Sequence, residues 1–382
     1  MNLLAVAEKL APADRPPVAL DAARCVRAQD KLATCEQCVR ACPVDALRFD
    51  ASIALDEKIC VACGLCLRVC PVDAFTGDDG VTDLMNWLAR LHAQAVELVC
   101  PRHPDPTKGQ NENAIVLRAN TCLAALGASV YLRLLSQVSS VAVRMDACAE
   151  CAIGRVQPHI ADALDAARQF FPERVIAITE KPPSPKIRAV YDAKSPPVSR
   201  RDFFRVLTGE SVRAATIAFT NESTPTSAAP RERQRVIHAL KQLTLADLNV
   251  PAAFTGAIRL RADDKCTACG VCARACPTGA MQFSITDNTT YRLTCSVAQC
   301  TDCGVCGDVC EPQALQRAGA PTLAEFIASA PMTLHTGALK QCAKCNARFA
   351  AHLEGNLCPI CDFRRRNPFG SLRPRAQREA QR

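Results

Sequence analysis

The sequence predicts a multidomain α+β chain. Two small cysteine-ligated modules flank a small α/β domain, and a four-cysteine knuckle follows near the C-terminus. Three observations predict this. One cysteine spacing recurs in four runs; β-branched runs alternate with helical stretches between the second run and the third; and two CxxC pairs follow the last run. With 382 residues there is room for roughly two to four domains.

The runs come first. Cys60, Cys63, Cys66 and Cys70 stand in CVACGLCLRVCP, Cys266, Cys269, Cys272 and Cys276 in CTACGVCARACP, and Cys300, Cys303, Cys306 and Cys310 in CTDCGVCGDVCEP. A fourth copy, CEQCVRACP, holds Cys35, Cys38 and Cys42 but has Leu32 where its first cysteine should be. Thiolates at i, i+3 and i+6 can wrap one face of a cluster, and the glycine after the second cysteine (Gly64, Gly270, Gly304) lets backbone approach it. Each run ends at or near a proline and continues alike, with PVDALRF from Pro43, PVDAF from Pro71, PTGAMQF from Pro277 and EPQALQR from Glu311. Loop, short helix and strand repeat twice per module, giving modules over residues 18–80 and 255–318.

These runs resemble the ligand run of bacterial dicluster (2x 4Fe-4S) ferredoxins, in which the fourth cysteine serves the other cluster. The resemblance implies several 4Fe-4S clusters and crossed ligation. Cys60, Cys63 and Cys66 would be completed by Cys42, Cys266, Cys269 and Cys272 by Cys310, and Cys300, Cys303 and Cys306 by Cys276. Cys35 and Cys38 would take Cys70, and Cys25, ten residues before Cys35, is read as the missing ligand. A three-iron cluster on Cys35, Cys38 and Cys70, or no cluster, are the other readings of that copy. Cys295 is left as a spare thiol, because Cys300 has the standard spacing.

Between the modules, over residues 81–180, VELVC, AIVLRANTC and VAVRMDAC alternate with helical patterns, the last of them PHIADALDAARQFF, before RVIAIT closes the segment. This is the pattern of a small parallel α/β domain. It carries Cys100, Cys122, Cys148 and Cys151, mostly near predicted strand ends or helix starts, where open α/β folds gather ligands. An additional metal centre, a redox dithiol and plain core cysteines all stay open there.

Residues 181–254 form a proline-rich linker with one helical pattern, RERQRVIHALKQL. Within it SRRDFFRVL, Ser199–Leu207, resembles a twin-arginine motif. Such a signal belongs at the N-terminus, so a basic helix is expected instead. Over residues 335–366, Cys342, Cys345, Cys358 and Cys361 form two knuckles with zinc-ribbon or rubredoxin-type spacing. Zinc is favoured over a lone iron, since it would be structural. The tail, 367–382, is basic, and a solvated end is favoured over a nucleic-acid patch.

Composition sets the compartment. MNLLAVAEKL lacks a basic n-region and is interrupted by Glu8 and Lys9, so a disulfide framework of an exported chain is not expected. No transmembrane segment is expected either, for no apolar run approaches about 20 residues. A cytoplasmic location is the expectation. The formal charge of +8 counts thiolates as neutral. Four clusters and one zinc site would add about −10, so the basicity largely balances inorganic charge.

No nucleotide, P-loop or HExxH motif is present in the sequence, and the six histidines form no cluster. The expectation is therefore a polyferredoxin-like electron-transfer subunit, relaying electrons between a catalytic oxidoreductase subunit and a redox partner protein. Two further readings are a redox enzyme acting through a central dithiol or metal centre (Cys100, Cys122, Cys148, Cys151), and a zinc-ribbon regulatory or assembly protein.

Overall fold

A computed structural model describes residues 18–368, except 31–32, 51, 89–93, 110, 112, 183–187, 195–228 and 246. The twin-arginine-like segment, most of the proline-rich linker and the tail beyond 368 lie outside the described residues. Two units are formed, one by residues 18–24 and 36–194 and the other by 25–35 and 229–368.

The first unit opens with a ferredoxin-like module. β1 (Val18–Leu20) pairs antiparallel with β4 (Phe75–Gly77), and β2 (Leu47–Phe49) with β3 (Ile53–Leu55). Short helices at Gln37–Ala41 and Leu65–Val69 pack between them, and Leu47, Leu65 and Phe75 are buried beneath the loops. Strands of three residues cannot make a stable sheet alone, so the ligand loops must supply the rest of the cohesion.

A helix at Val81–Leu88 leads into a five-stranded sheet, β8–β7–β5–β6–β9, parallel throughout. The strands are β5 (Ala95–Val99), β6 (Ile115–Arg118), β7 (Ser140–Arg144), β8 (Val175–Ile178) and β9 (Val190–Asp192). Every residue of β5 is buried, as a central parallel strand covered on both faces requires. Helices at Ala128–Leu135 and Gln157–Arg168 pack against each other, with Tyr131, Leu132 and Leu164 fully buried. The chain leaves β5 for β6 on one side and then crosses to β7 on the other. The sheet order therefore reverses at β5, and a crevice opens beyond the C-terminal ends of β5 and β7.

The second unit repeats the module. β10 (Leu260–Ala262) pairs with β13 (Leu315–Arg317), and short helices span Val271–Arg274 and Val305–Asp308. Its hairpin is longer: β11 (Met281–Thr286) and β12 (Thr290–Ser296) turn at Asp287 and Asn288, both left-handed with φ 50° and 58°. β12 also pairs with the eleven-residue β14 (Pro331–Gln341), whose far end pairs with β15 (Arg348–Ala350). The helix at Leu323–Ala328 opens on a capping box, in which the Thr322 hydroxyl accepts from the Glu325 amide and the Glu325 carboxylate from the Thr322 amide. It packs against the helix at Arg231–Gln242, the pattern expected from RERQRVIHALKQL. No helix among the described residues is long and apolar enough to cross a membrane.

Candidate metal centres

The three complete runs share a backbone device. The residue before the second cysteine is left-handed in each: Ala62 (φ 52°), Ala268 (φ 58°) and Asp302 (φ 53°). So is the glycine after it: Gly64 (φ 77°), Gly270 (φ 65°) and Gly304 (φ 82°). Two left-handed residues flanking one cysteine curl the loop around a point, and a side chain in place of the glycine would be strained. After the last cysteine of each of the four runs, the incomplete one included, another left-handed residue follows, at Asp45, Asp73, Gly279 and Gln313. This turn sends the Ala46 and Ala74 amides back to the Cys42 and Cys70 sulfurs, both at 3.3 Å, and the Met281 amide to that of Cys276 at 3.5 Å. Such bonds stabilise a thiolate and tune a bound cluster.

The incomplete run departs where its sequence does. Glu36 stands in the place of Gly64, with φ −131°, so the left-handed turn is missing. Cys25 and Cys35 fall in the second unit, Cys38 and Cys70 in the first.

In each complete run the third cysteine feels the charge of the cysteine that crossed ligation would add to its set. Burial pushes the Cys66 thiol up to about 12, and Cys63, Cys60 and Cys42 add to it. Cys272 rises to about 12 by burial and then through Cys269, Cys310 and Cys266. Cys306 rises likewise to about 12, by burial and then through Cys300, Cys303 and Cys276. Cys303, up at about 11 mainly through burial, also feels Cys35. Four sulfurs gathered in this way would repel one another as thiolates, and a cationic iron core is the natural counterpart.

Two further residues meet the Cys300 set. Cys295, buried at 1% exposure on β12, donates its thiol hydrogen bond to Cys300; this raises Cys295 and lowers Cys300. Arg233, from the helix at Arg231–Gln242, is buried over the Phe326 ring at 5.5 Å, and its Nη1 has no hydrogen-bond partner. Burial lowers its pKa to about 10 against the opposing pull of Cys300. A buried cation with no matching acid among the described residues fits a site that carries negative inorganic charge. Sequence reading missed Arg233, since nothing local marks it.

The knuckle is built on a different scale. The sulfurs of Cys342, Cys345, Cys358 and Cys361 lie within 4.8 Å of one another, with Cys345 and Cys358 3.7 Å apart. Tetrahedral ligation at about 2.3 Å places sulfurs about 3.8 Å apart, so a single ion fits. The Cys358 amide donates to the Cys342 sulfur at 3.2 Å and holds that thiol below its usual range. β15 pairs back onto β14 across the first knuckle, so the strand before Cys342 and the residues between the two cysteine pairs form one hairpin.

In the α/β domain, Cys100 directly follows β5, Cys122 follows β6, and Cys148 and Cys151 follow β7. All four line one cavity of about 260 Å³ at the crevice, together with Cys63. A buried ionic network holds the loops there. Arg144, fully buried, pairs with Glu97 at 3.3 Å and Asp146 at 2.7 Å and donates to the carbonyls of Asp105 and Lys108. His103 completes it through Asp146 at 3.1 Å. Burial pushes the Asp146 carboxyl up, but Arg144 and His103 outweigh this and hold it below the usual carboxylate range.

Residues 33–74 match the family described as a 4Fe-4S dicluster domain, and residues 263–282 match a 4Fe-4S binding domain. The chain carries iron–sulfur ferredoxin-type domains. No curated protein matches it. The ferredoxin-type domains stand at two positions, with a four-cysteine group near the C-terminus, and they support an iron–sulfur electron-transfer role.

Proposed function

We propose that this chain is the electron-relay subunit of a larger oxidoreductase, a cytoplasmic wire between a catalytic subunit and a redox partner. The observation that carries this reading is the packing of two ligand sets in one small module. Cys272 and Cys276, from one run, and Cys300 and Cys306, from the next, all pack against the core of Ala280, Met281, Leu293 and Cys295. Neighbouring 4Fe-4S centres exchange single electrons without moving atoms. The chain's own residues fix where those centres sit, shield them and set their potentials. Cys342, Cys345, Cys358 and Cys361 would hold a structural zinc.

Anaerobic affinity purification of the full chain, with iron and sulfide counts and a redox titration, tests this. The expected result is a co-purified oxidoreductase subunit that reduces or oxidises the chain's centres. Turnover of a disulfide substrate by the chain alone, abolished in Cys148→Ser with all clusters intact, would overturn it.

A further inference from the structure

We propose that Cys100, Cys122, Cys148 and Cys151 hold an additional iron–sulfur cluster at the C-terminal edge of the parallel sheet, wired to the centre on Cys60, Cys63, Cys66 and Cys42. That the site binds a cluster stands on its own geometry; that it extends the electron path rests on the relay reading.

The placement comes first. Three consecutive strands of the sheet each deliver cysteine to the crevice where the strand order reverses, the position at which open α/β sheets bind ligands. Cysteines scattered through a core would not all face one cavity. Its volume, about 260 Å³, is roughly that of nine waters, enough for a compact inorganic core but far more than one ion needs.

Spacing then separates the metals. At the knuckle four sulfurs draw within 4.8 Å, as a single zinc requires; among the described residues that is the one group of cysteine, histidine or acidic ligands to do so. No three of the central cysteines meet so closely, and the cavity that all four line leaves room for a multi-iron core. A dithiol needs two cysteines, and it leaves Cys100 and Cys122 unexplained.

The loops are also built to hold this shape. A Cβ on Gly154 would stand 2.2 Å from the Cys148 carbonyl oxygen, so the turn through Cys148 and Cys151 closes only on glycine. Its steps are the Cys151 amide to the Cys148 carbonyl at 3.2 Å and the Gly154 amide to the Cys151 carbonyl at 2.7 Å.

Finally, three arginines bind this site to the neighbouring ligand run. Arg68, between Cys66 and Cys70, donates to the carbonyls of Ala124 (3.0 Å) and Leu126 (3.2 Å), just beyond Cys122, and of His159 (2.9 Å), in the helix after Cys151. Arg102, beside Cys100, donates to the Val61 carbonyl at 3.4 Å. Arg155, beyond Cys151, donates to the Cys42 carbonyl and pairs with Asp45 at 2.6 Å. With Cys63 itself on the cavity wall, the two centres would be close neighbours. One electron passes between them, and no bond forms or breaks.

The test uses the full chain, purified anaerobically. Cys122→Ser and Cys148→Ser should each lose about four iron and four sulfide per chain, the content of one cubane, with secondary structure and zinc unchanged. The paramagnetic spectrum of the reduced wild type should show coupling between two centres that both variants lose. Should a variant misfold, thiol alkylation of the wild type decides. Cys100, Cys122, Cys148 and Cys151 should be protected together and become reactive together when the clusters are destroyed by oxidation. Unchanged iron in the variants, free alkylation of the four in the loaded wild type, or zinc in place of iron would overturn the proposal. Failure to find a partner subunit would sink the relay reading but leave these counts untouched.

Discussion

The Cβ atom that Gly64 lacks would stand 2.8 Å from the Cβ of Ala125, at a backbone φ of 77° that side chains rarely adopt. The ligand loop of Cys60, Cys63 and Cys66 thus meets the loop after Cys122 with no room for a methyl group. Gly64→Ala should cost about 2 kcal/mol from the left-handed strain and the overlap together. Chemical denaturation of the loaded protein measures it. The same substitution at Gly304, where no side-chain or backbone atom but Asp308 Oδ2 at 3.9 Å would be met, should cost only the conformational part.

Arg233 gives a prediction about potential. Arg233→Met removes a buried positive charge beside Cys300 and should lower the midpoint of that centre by tens of millivolts. A spectroscopic redox titration reads the shift. Because the unpaired guanidinium nitrogen is costly without a cluster, the same variant should make the metal-free chain no less stable. A drop in metal-free stability would argue that Arg233 has another acid to serve.

Cys295 and Cys300 separate a ligand from its neighbour. Cys300→Ser should lose a cluster's worth of iron, while Cys295→Ala should keep the full count. The latter should still lower the midpoint, since one hydrogen bond to a ligand sulfur is gone. Iron loss in Cys295→Ala with a full count in Cys300→Ser would mean that Cys295, not Cys300, completes the set.

At the knuckle, Cys345→Ser should abolish binding of about one zinc per chain and loosen the segment from Cys342 to the helix at Pro359–Arg366, with iron unchanged. Elemental analysis and amide hydrogen exchange check both halves. Iron at this site in the wild type would make it rubredoxin-like instead.

Asp146 sets an acid limit. Its carboxyl is held below the usual range, so the stability it adds is present above about pH 4, the unfolded value, and is lost as pH falls through the folded one. Asp146→Asn should flatten that part of the acid transition of the metal-free chain.

What could be seen from sequence was what is encoded locally. Run spacing, the glycine after the second cysteine and the alternating pattern of the α/β domain all act over a few residues, and each has its counterpart in the fold. What stayed hidden depends on packing at a distance. β9 is three residues, Val190–Asp192, in a proline-rich stretch with no alternation to mark it. Arg233 reads as one more charge on an amphipathic helix, and only its burial near Cys300 gives it a role. The arginine tethers at Arg68, Arg102 and Arg155 are likewise ordinary surface residues by sequence, since their carbonyl partners are set by the fold.

The strand Pro331–Gln341 covers β12 along one stretch and pairs with β15 along another. A fragment cut to residues 255–318 would retain every cysteine of the second pair of runs yet expose the β12 edge from Thr290 to Ser296, an open template for pairing with other chains. Such a fragment would bind iron and still clump. The module's solubility is borrowed from sequence that holds none of its ligands.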